Sequence, residues 1–260
     1  MKKVCFKLAG LALLSLTVTA CNNDFVQNVK ESVTVTEAPE LTDVPEDITE
    51  DKTEIILDGK YKNLSDMITE DIKDNSSIYS SDEVINTIMG YEDVIEEAAK
   101  EVKMPKEFIT AILLKEMSMI DRVDEIGDGM VEDYYNKLEQ NGTAEGKNDS
   151  STGLGQIFAK TAMDSHNTLV NKGIISGDIL GDDIATKKSV WYSLKEDDEY
   201  NILFVAKTLR AKAVYSGISD FDNCSDDTLV KLFAAYNGSG SAATEYGQCV
   251  LKYYKELIVL

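Results

Sequence analysis

Apolar residues recur along much of this chain at intervals of three and four. Val94, Ile95, Ala98, Ala99 and Val102 fall on one face of a helix. Pro105 then marks a new helix start, a position where proline is tolerated. The stripe that follows is Phe108, Ile109, Ile112, Leu113 and Met117. Ile202, Val205, Ala206, Leu209 and Ala213 repeat the pattern, as do Leu229, Leu232, Phe233 and Tyr236. Tyr246, Cys249, Val250, Tyr253 and Leu257 make the last stripe. Ser81-Asp82-Glu83 reads as a helix start. Alternating patterns are scarce and no long repeat is visible. The pattern predicts a mostly α domain over residues 90–260, preceded by a helical or irregular lead-in over 61–89.

The N-terminal end reads differently. Lys2, Lys3 and Lys7 precede an apolar run, Leu8 to Ala20, that is too short to span a bilayer and of the length of a signal peptide. Its end, Val18-Thr19-Ala20-Cys21, resembles a bacterial lipobox, which implies a signal peptide over 1–20 and lipidation of Cys21. Two anchoring acyl groups or more would give stable attachment on the extracytoplasmic side of a membrane. The alternative is an ordinary signal peptide in which Cys21 is incidental.

Residues 21–60 hold Pro39 and Pro45, few aromatics and no helical period. Eleven acids against three lysines over 22–60 leave a charge of −8 there. This composition predicts a disordered, self-repelling tether. Fully stretched it would reach roughly 130 Å.

Charge and rare residues then narrow the function. The chain has 260 residues, 26 basic and 47 acidic, for a net charge of −21; losing the three leader lysines leaves 23 against 47, or −24. Such a chain repels phosphate backbones, so a nucleic-acid partner is excluded. A single histidine, His166, excludes multi-histidine zinc sites, and any Ser-His-Asp site would have to use it. At 43% hydrophobic residues a sizeable core can form, which excludes wholesale disorder. Removal of the leader takes Cys5, and lipid would consume Cys21. Cys224 and Cys249 are left either to bridge as a disulfide or to remain two small thiols.

Three places carry candidate chemistry. Glu116 lies four residues after Ile112, seven after Ile109 and eight after Phe108, on or beside an apolar helix face. Desolvation there favours the protonated acid, which can serve as a general acid. The bland reading is a surface glutamate at the edge of the stripe. Second, Ser151-Thr152-Gly153-Leu154-Gly155-Gln156 offers a tight backbone path flanked by polar side chains, ahead of a helix near 159–172. Third, Ala235-Tyr236-Asn237-Gly238 ends a helix with an aromatic and an amide, which serve either as a plain C-cap or as the lining of a sugar cleft.

Taken in order, these segments resemble the SLT-type lytic transglycosylases, the lysozyme-like family related to goose-type lysozymes. Ala111 to Glu116 looks like that family's glutamate helix, and Ser151 to Ile157 with Thr161-Ala162 like its Gly-Leu-x-Gln loop. Tyr200-Asn201-Ile202 with Ala206 and Leu209 is similar to a further helix of the family, and Ala235 to Gly238 with Tyr246-Gly247 and Val250 to its Ala-Tyr-Asn-Gly segment and closing helix. The resemblance covers about residues 90–256.

The resemblance implies a lysozyme-like helical fold and cleavage of the β-1,4 bond between N-acetylmuramic acid and N-acetylglucosamine in peptidoglycan strands. Glu116 would protonate the glycosidic oxygen and then act as base, on the muramoyl 6-hydroxyl in a transglycosylase or on water in a muramidase. Ser151, Gly155, Gln156, Tyr236 and Asn237 would contact sugar or position Glu116. Asp149 and Asp121 are the candidates for a second acid, as glycosidases often need a pair. A wall-binding lipoprotein with a silent lysozyme fold is the competing class. Neither metal nor cofactor is expected. The acidic insertion 119–148 fails as a calcium loop starting at Asp124, because Ile126 and Tyr135 occupy positions that need oxygen ligands.

Overall fold

The structure is a computed structural model, and it describes residues 59–260. The expected signal peptide, Cys21 and all but the end of the tether lie outside the described residues. Among the described residues no helix is long and apolar enough to cross a membrane.

The lead-in is helical. It forms α1 (Lys62–Asn75) and α2 (Ser81–Gly90). The start of α2 is a capping box: Ser80 accepts from the Glu83 N–H, and Glu83 accepts from the Ser80 N–H. Leu64, Ile68, Val84, Ile85 and Ile88 of these two helices are fully buried in the same core as the later helices.

Next come α3 (Glu92–Val102) and α4 (Lys106–Met117), which begins after Pro105. Every residue of α4 from Phe108 to Met117 is buried, the pattern of a helix enclosed on all sides. Phe108 anchors it, with the rings of Phe233 and Tyr254 edge-on at 5.2 and 4.8 Å.

The acidic insertion folds as α5 (Arg122–Asn141), opened by an Asp121/Asp124 capping box and closed by Gly142 in the left-handed region. Its inward face is narrow, with Gly127, Val131 and Tyr135 four residues apart. Two short strands follow, β1 (Ser151–Thr152) and β2 (Ile157–Phe158), paired antiparallel with Ser151 opposite Phe158.

The remaining helices are α6 (Ala159–Asn171), α7 (Ile184–Glu196), α8 (Asp198–Tyr215), α9 (Asp226–Asn237) and α10 (Ser241–Leu257). Asp183, Asp197 and Ser225 cap α7, α8 and α9 with their side chains. Like α4, α8 is buried nearly all round, and α3, α6, α7, α9 and α4 pack about it. The C-terminal end of α4, the second half of α8, the hairpin and the α9–α10 junction meet around one cleft.

Candidate active site

Glu116 is the second-last residue of α4 and is 6% exposed. The Tyr246 hydroxyl of α10 donates to its Oε1 at 2.7 Å. Burial pushes the carboxyl from its ordinary 4.5 up to about 8, against the pull of the Tyr246 hydrogen bond and the Lys115 charge, while Asp124 adds to the rise. Burial thus favours the protonated acid near neutral pH. Burial and the nearby Glu116 hold the Tyr246 phenol far above its ordinary range, so it keeps the hydrogen it donates. With Oε1 accepting from Tyr246, the acidic proton belongs on Oε2.

Glu116 opens into a cleft of about 410 Å³, also lined by Asp124, Ser151, Gln156, Tyr236 and Asn237. Four of the five residues named from sequence as substrate contacts thus share one cleft with the acid. Gly155 is the correction: a Cβ on it would lie 2.0 Å from Val205 Cγ2, so it faces the protein and not the cleft. Its N–H donates to Asn201 Oδ1 at 2.7 Å, and its carbonyl accepts from the Tyr236 hydroxyl at 2.7 Å.

Asn201 explains why the loop holds its shape. It is fully buried on α8, and its amide also donates to the carbonyls of Thr152 and Leu194 at 3.0 and 2.9 Å. Gly153 has φ +68°, and a Cβ there would meet the Asn201 amide at 2.1 Å. Gln156 also has positive φ, +46°, unusual for a residue with a side chain. Its backbone and side-chain N–H groups both donate to the Gly153 carbonyl, which turns the tip back on itself.

A second set of bonds holds the hairpin from the α5 side. Ser150 and Thr152 donate to the two carboxylate oxygens of Asp128, each at 2.7 Å. Trp191 of α7, itself buried, donates to Ser150 at 3.1 Å. Lys188 and Lys195 of α7 pair with Glu139 and Glu132 of α5, and the Tyr135 hydroxyl donates to the Asn148 carbonyl at 2.8 Å. The acidic insertion is thus a brace for the cleft. Among the described residues no cluster of three or more histidines, cysteines or acids could hold a metal.

Asp149 is not a second acid in the cleft. Its carboxylate accepts from the Ala159 and Lys160 N–H groups at 2.9 and 3.0 Å, which caps α6. Asp121 likewise caps α5. The carboxylate that lines the cleft is Asp124, which the spacing did not single out. Tyr246 was also missed as a partner for Glu116. Its signal was a phenol on the buried stripe of a helix, since a buried hydroxyl needs a partner.

The Cys224–Cys249 bridge is not formed; both thiols are free. Cys224 donates to the Asp220 carbonyl at 3.2 Å. Cys249 donates to Asp71 at 3.0 Å, within a junction where α1, α4 and α10 meet. There Asp71 Oδ2 also takes Lys115 Nζ at 2.8 Å and the Tyr253 hydroxyl at 2.5 Å. Burial would raise the Asp71 carboxyl, but the bonds from Cys249, Lys115 and Tyr253 outweigh it and hold it below its ordinary value. The Cys249 thiol is pushed up to about 12, chiefly by burial.

No family profile, curated protein or solved structure matches this chain.

Proposed function

We propose that this chain is a peptidoglycan-cleaving enzyme of lysozyme-like fold. In this reading it is a lytic transglycosylase acting on the N-acetylmuramic acid to N-acetylglucosamine β-1,4 bond, held at the outer face of a membrane through lipid on Cys21. The observation that carries the reading is Glu116: a carboxyl whose burial favours its protonated form and that opens on a cleft whose other walls present hydroxyls and amides suited to sugar.

In the reaction the Glu116 proton goes to the glycosidic oxygen as the bond to the muramoyl anomeric carbon breaks. The carboxylate left behind is stabilised by the Tyr246 hydrogen bond and the Lys115 charge. It then takes the proton of the muramoyl 6-hydroxyl, whose oxygen closes on the anomeric carbon as an anhydro ring. The acid is regenerated and no water is consumed.

Asp124 favours one further reading. A second carboxylate in the same cleft is suited to orient water, which would make the enzyme a muramidase. Digestion of purified sacculi with wild type beside Glu116→Gln, followed by mass spectrometry, separates the readings. Anhydromuramic ends from wild type and none from the variant are expected. Reducing muramic ends would establish the muramidase instead. Undiminished cleavage by Glu116→Gln would overturn the assignment of the acid. Sacculus binding by a wild type that cleaves nothing would favour a silent wall-binding lipoprotein.

A further inference from the structure

Thr208 and Lys212 are among the cleft residues that this mechanism leaves unused. Thr208 and Lys212 lie four residues apart on α8, hence on one helix face, and both line the cleft that holds Glu116. Thr208 is 1% exposed, and its hydroxyl has no hydrogen-bond partner. Helical threonines commonly bond the carbonyl one turn back. Thr110, Thr168 and Thr244 do so here, to Lys106, Asp164 and Gly240. Thr208 does not, and a buried hydroxyl left unbonded is costly.

Lys212 is half-buried. Among the described residues its ammonium enters no ion pair, whereas of the other lysines that are buried or half-buried, Lys106, Lys115, Lys188, Lys195 and Lys207 each meet a carboxylate and Lys187 meets the Asn148 side-chain oxygen. In a chain with 47 acids against 26 bases, a cleft-facing lysine without a partner stands apart. The two groups together offer one neutral donor and one cationic donor. That set fits a group with two acceptor oxygens and a single negative charge, which is a carboxylate. A dianionic phosphate fits less well, because Asp124 shares the cleft.

We propose that Thr208 and Lys212 form a carboxylate-binding subsite, so that the cleft selects glycan strands bearing acidic substituents over neutral ones. The inference rests on the glycan-cleaving reading of the same cleft. Within that substrate class the carboxylate has two sources: the lactyl group of a muramic residue stripped of peptide, or the peptide stem itself.

Affinities measured by calorimetry in a Glu116→Gln background test this without turnover. The ligands are chitooligosaccharide, peptide-free muramic strands, the same strands with lactyl carboxyls amidated, and peptide-bearing strands. Acidic strands should bind about tenfold more tightly than neutral ones, the scale of one charge-assisted hydrogen bond. Lys212→Met should remove that preference, Lys212→Arg should keep most of it, and Thr208→Val should reduce it. Loss of the preference on lactyl amidation identifies the lactyl source; a preference confined to peptide-bearing strands identifies the stem. Equal affinity for acidic and neutral strands, unchanged in folded Lys212→Met, overturns the subsite and leaves the glycan reading standing. Failure of every glycan to bind overturns both. Circular dichroism melts of each variant confirm that the compared proteins are folded.

Discussion

Tyr246 donates its phenolic hydrogen to Glu116 across 2.7 Å, although the two residues are 130 positions apart in the chain. One bond thus sets the orientation of the acid, marks which oxygen holds the proton, and moderates the rise in its pKa. Burial drives the carboxyl up; Tyr246 and Lys115 pull it partly back.

This balance predicts a pH profile. A general acid works only while protonated, so kcat/KM should fall as pH rises through about 8. Tyr246→Phe removes a bond that favours the charged form, so the alkaline limb should move upward. The rate should also drop about tenfold, as expected when one orienting hydrogen bond is lost. A lower rate with an unmoved limb would mean that Tyr246 is only part of the packing. The measurement is kcat/KM against pH for both proteins.

The same shift bears on stability. The folded-state pKa of Glu116 lies above its ordinary value of 4.5, so the folded protein holds a proton that the unfolded chain releases between 4.5 and about 8. The associated stability is complete below 4.5 and is lost as pH rises toward 8. Glu116→Gln has no such ionisation. Its stability relative to wild type should therefore grow with pH across that window, by up to about 1.4 kcal/mol per unit. Thermal melts of both proteins at pH 5 and pH 8 would show the gap widening; a constant gap would contradict the burial account.

Much of this fold is legible in the sequence where an apolar stripe is wide. The stripes through Phe108, Ile202, Leu229 and Tyr246 lie on α4, α8, α9 and α10. What stayed hidden depends on long-range partners. The α5 helix buries only Gly127, Val131 and Tyr135 and is held by carboxylates that meet lysines of α7, so its sequence reads only as an acidic insertion. Asp149 and Asp121 cap helices, whereas Asp124 both completes the α5 capping box and lines the cleft, and residue type alone does not separate these roles. Asn201 was visible in a motif, but its work of holding Gly155 46 residues away was not.

Asp128 offers a test of the brace. Asp128→Ala leaves the Ser150 and Thr152 hydroxyls, both within almost fully buried residues, without their acceptor. A loss of about 2 kcal/mol is expected. Because Ser151 and Gln156 ride on the same hairpin, KM should rise while Glu116 and its pH limb remain as in wild type. Urea unfolding and steady-state kinetics check the two effects; unchanged stability would mean that the hairpin holds itself.

The Asp71–Lys115 pair calls for a double-mutant cycle. Lys115 is 5% exposed and Asp71 is its ion-pair partner. Asp71→Asn strips a buried ammonium of its counter-charge and should cost about 3 kcal/mol. Lys115→Met in the same protein removes the stranded charge and should restore part of that loss. Urea titration of the four proteins gives the coupling energy. Additive losses would show that the pair is held together by packing alone.

The Asp71 junction also sets an order of events. It joins α1 to α10, the first and last helices of the described residues, through the Tyr253 bond across 182 positions. Synthesis delivers α1 and α4 well before α10. Until α10 docks, Asp71 lacks its bonds from Tyr253 and Cys249, and Glu116 lacks both Tyr246 and the enclosure that favours its protonated form. A half-made or locally unravelled copy therefore carries an ordinary, ionised carboxylate in place of an acid. On the proposed function, potency would arrive with the closing step of assembly, and a damaged copy would disarm itself.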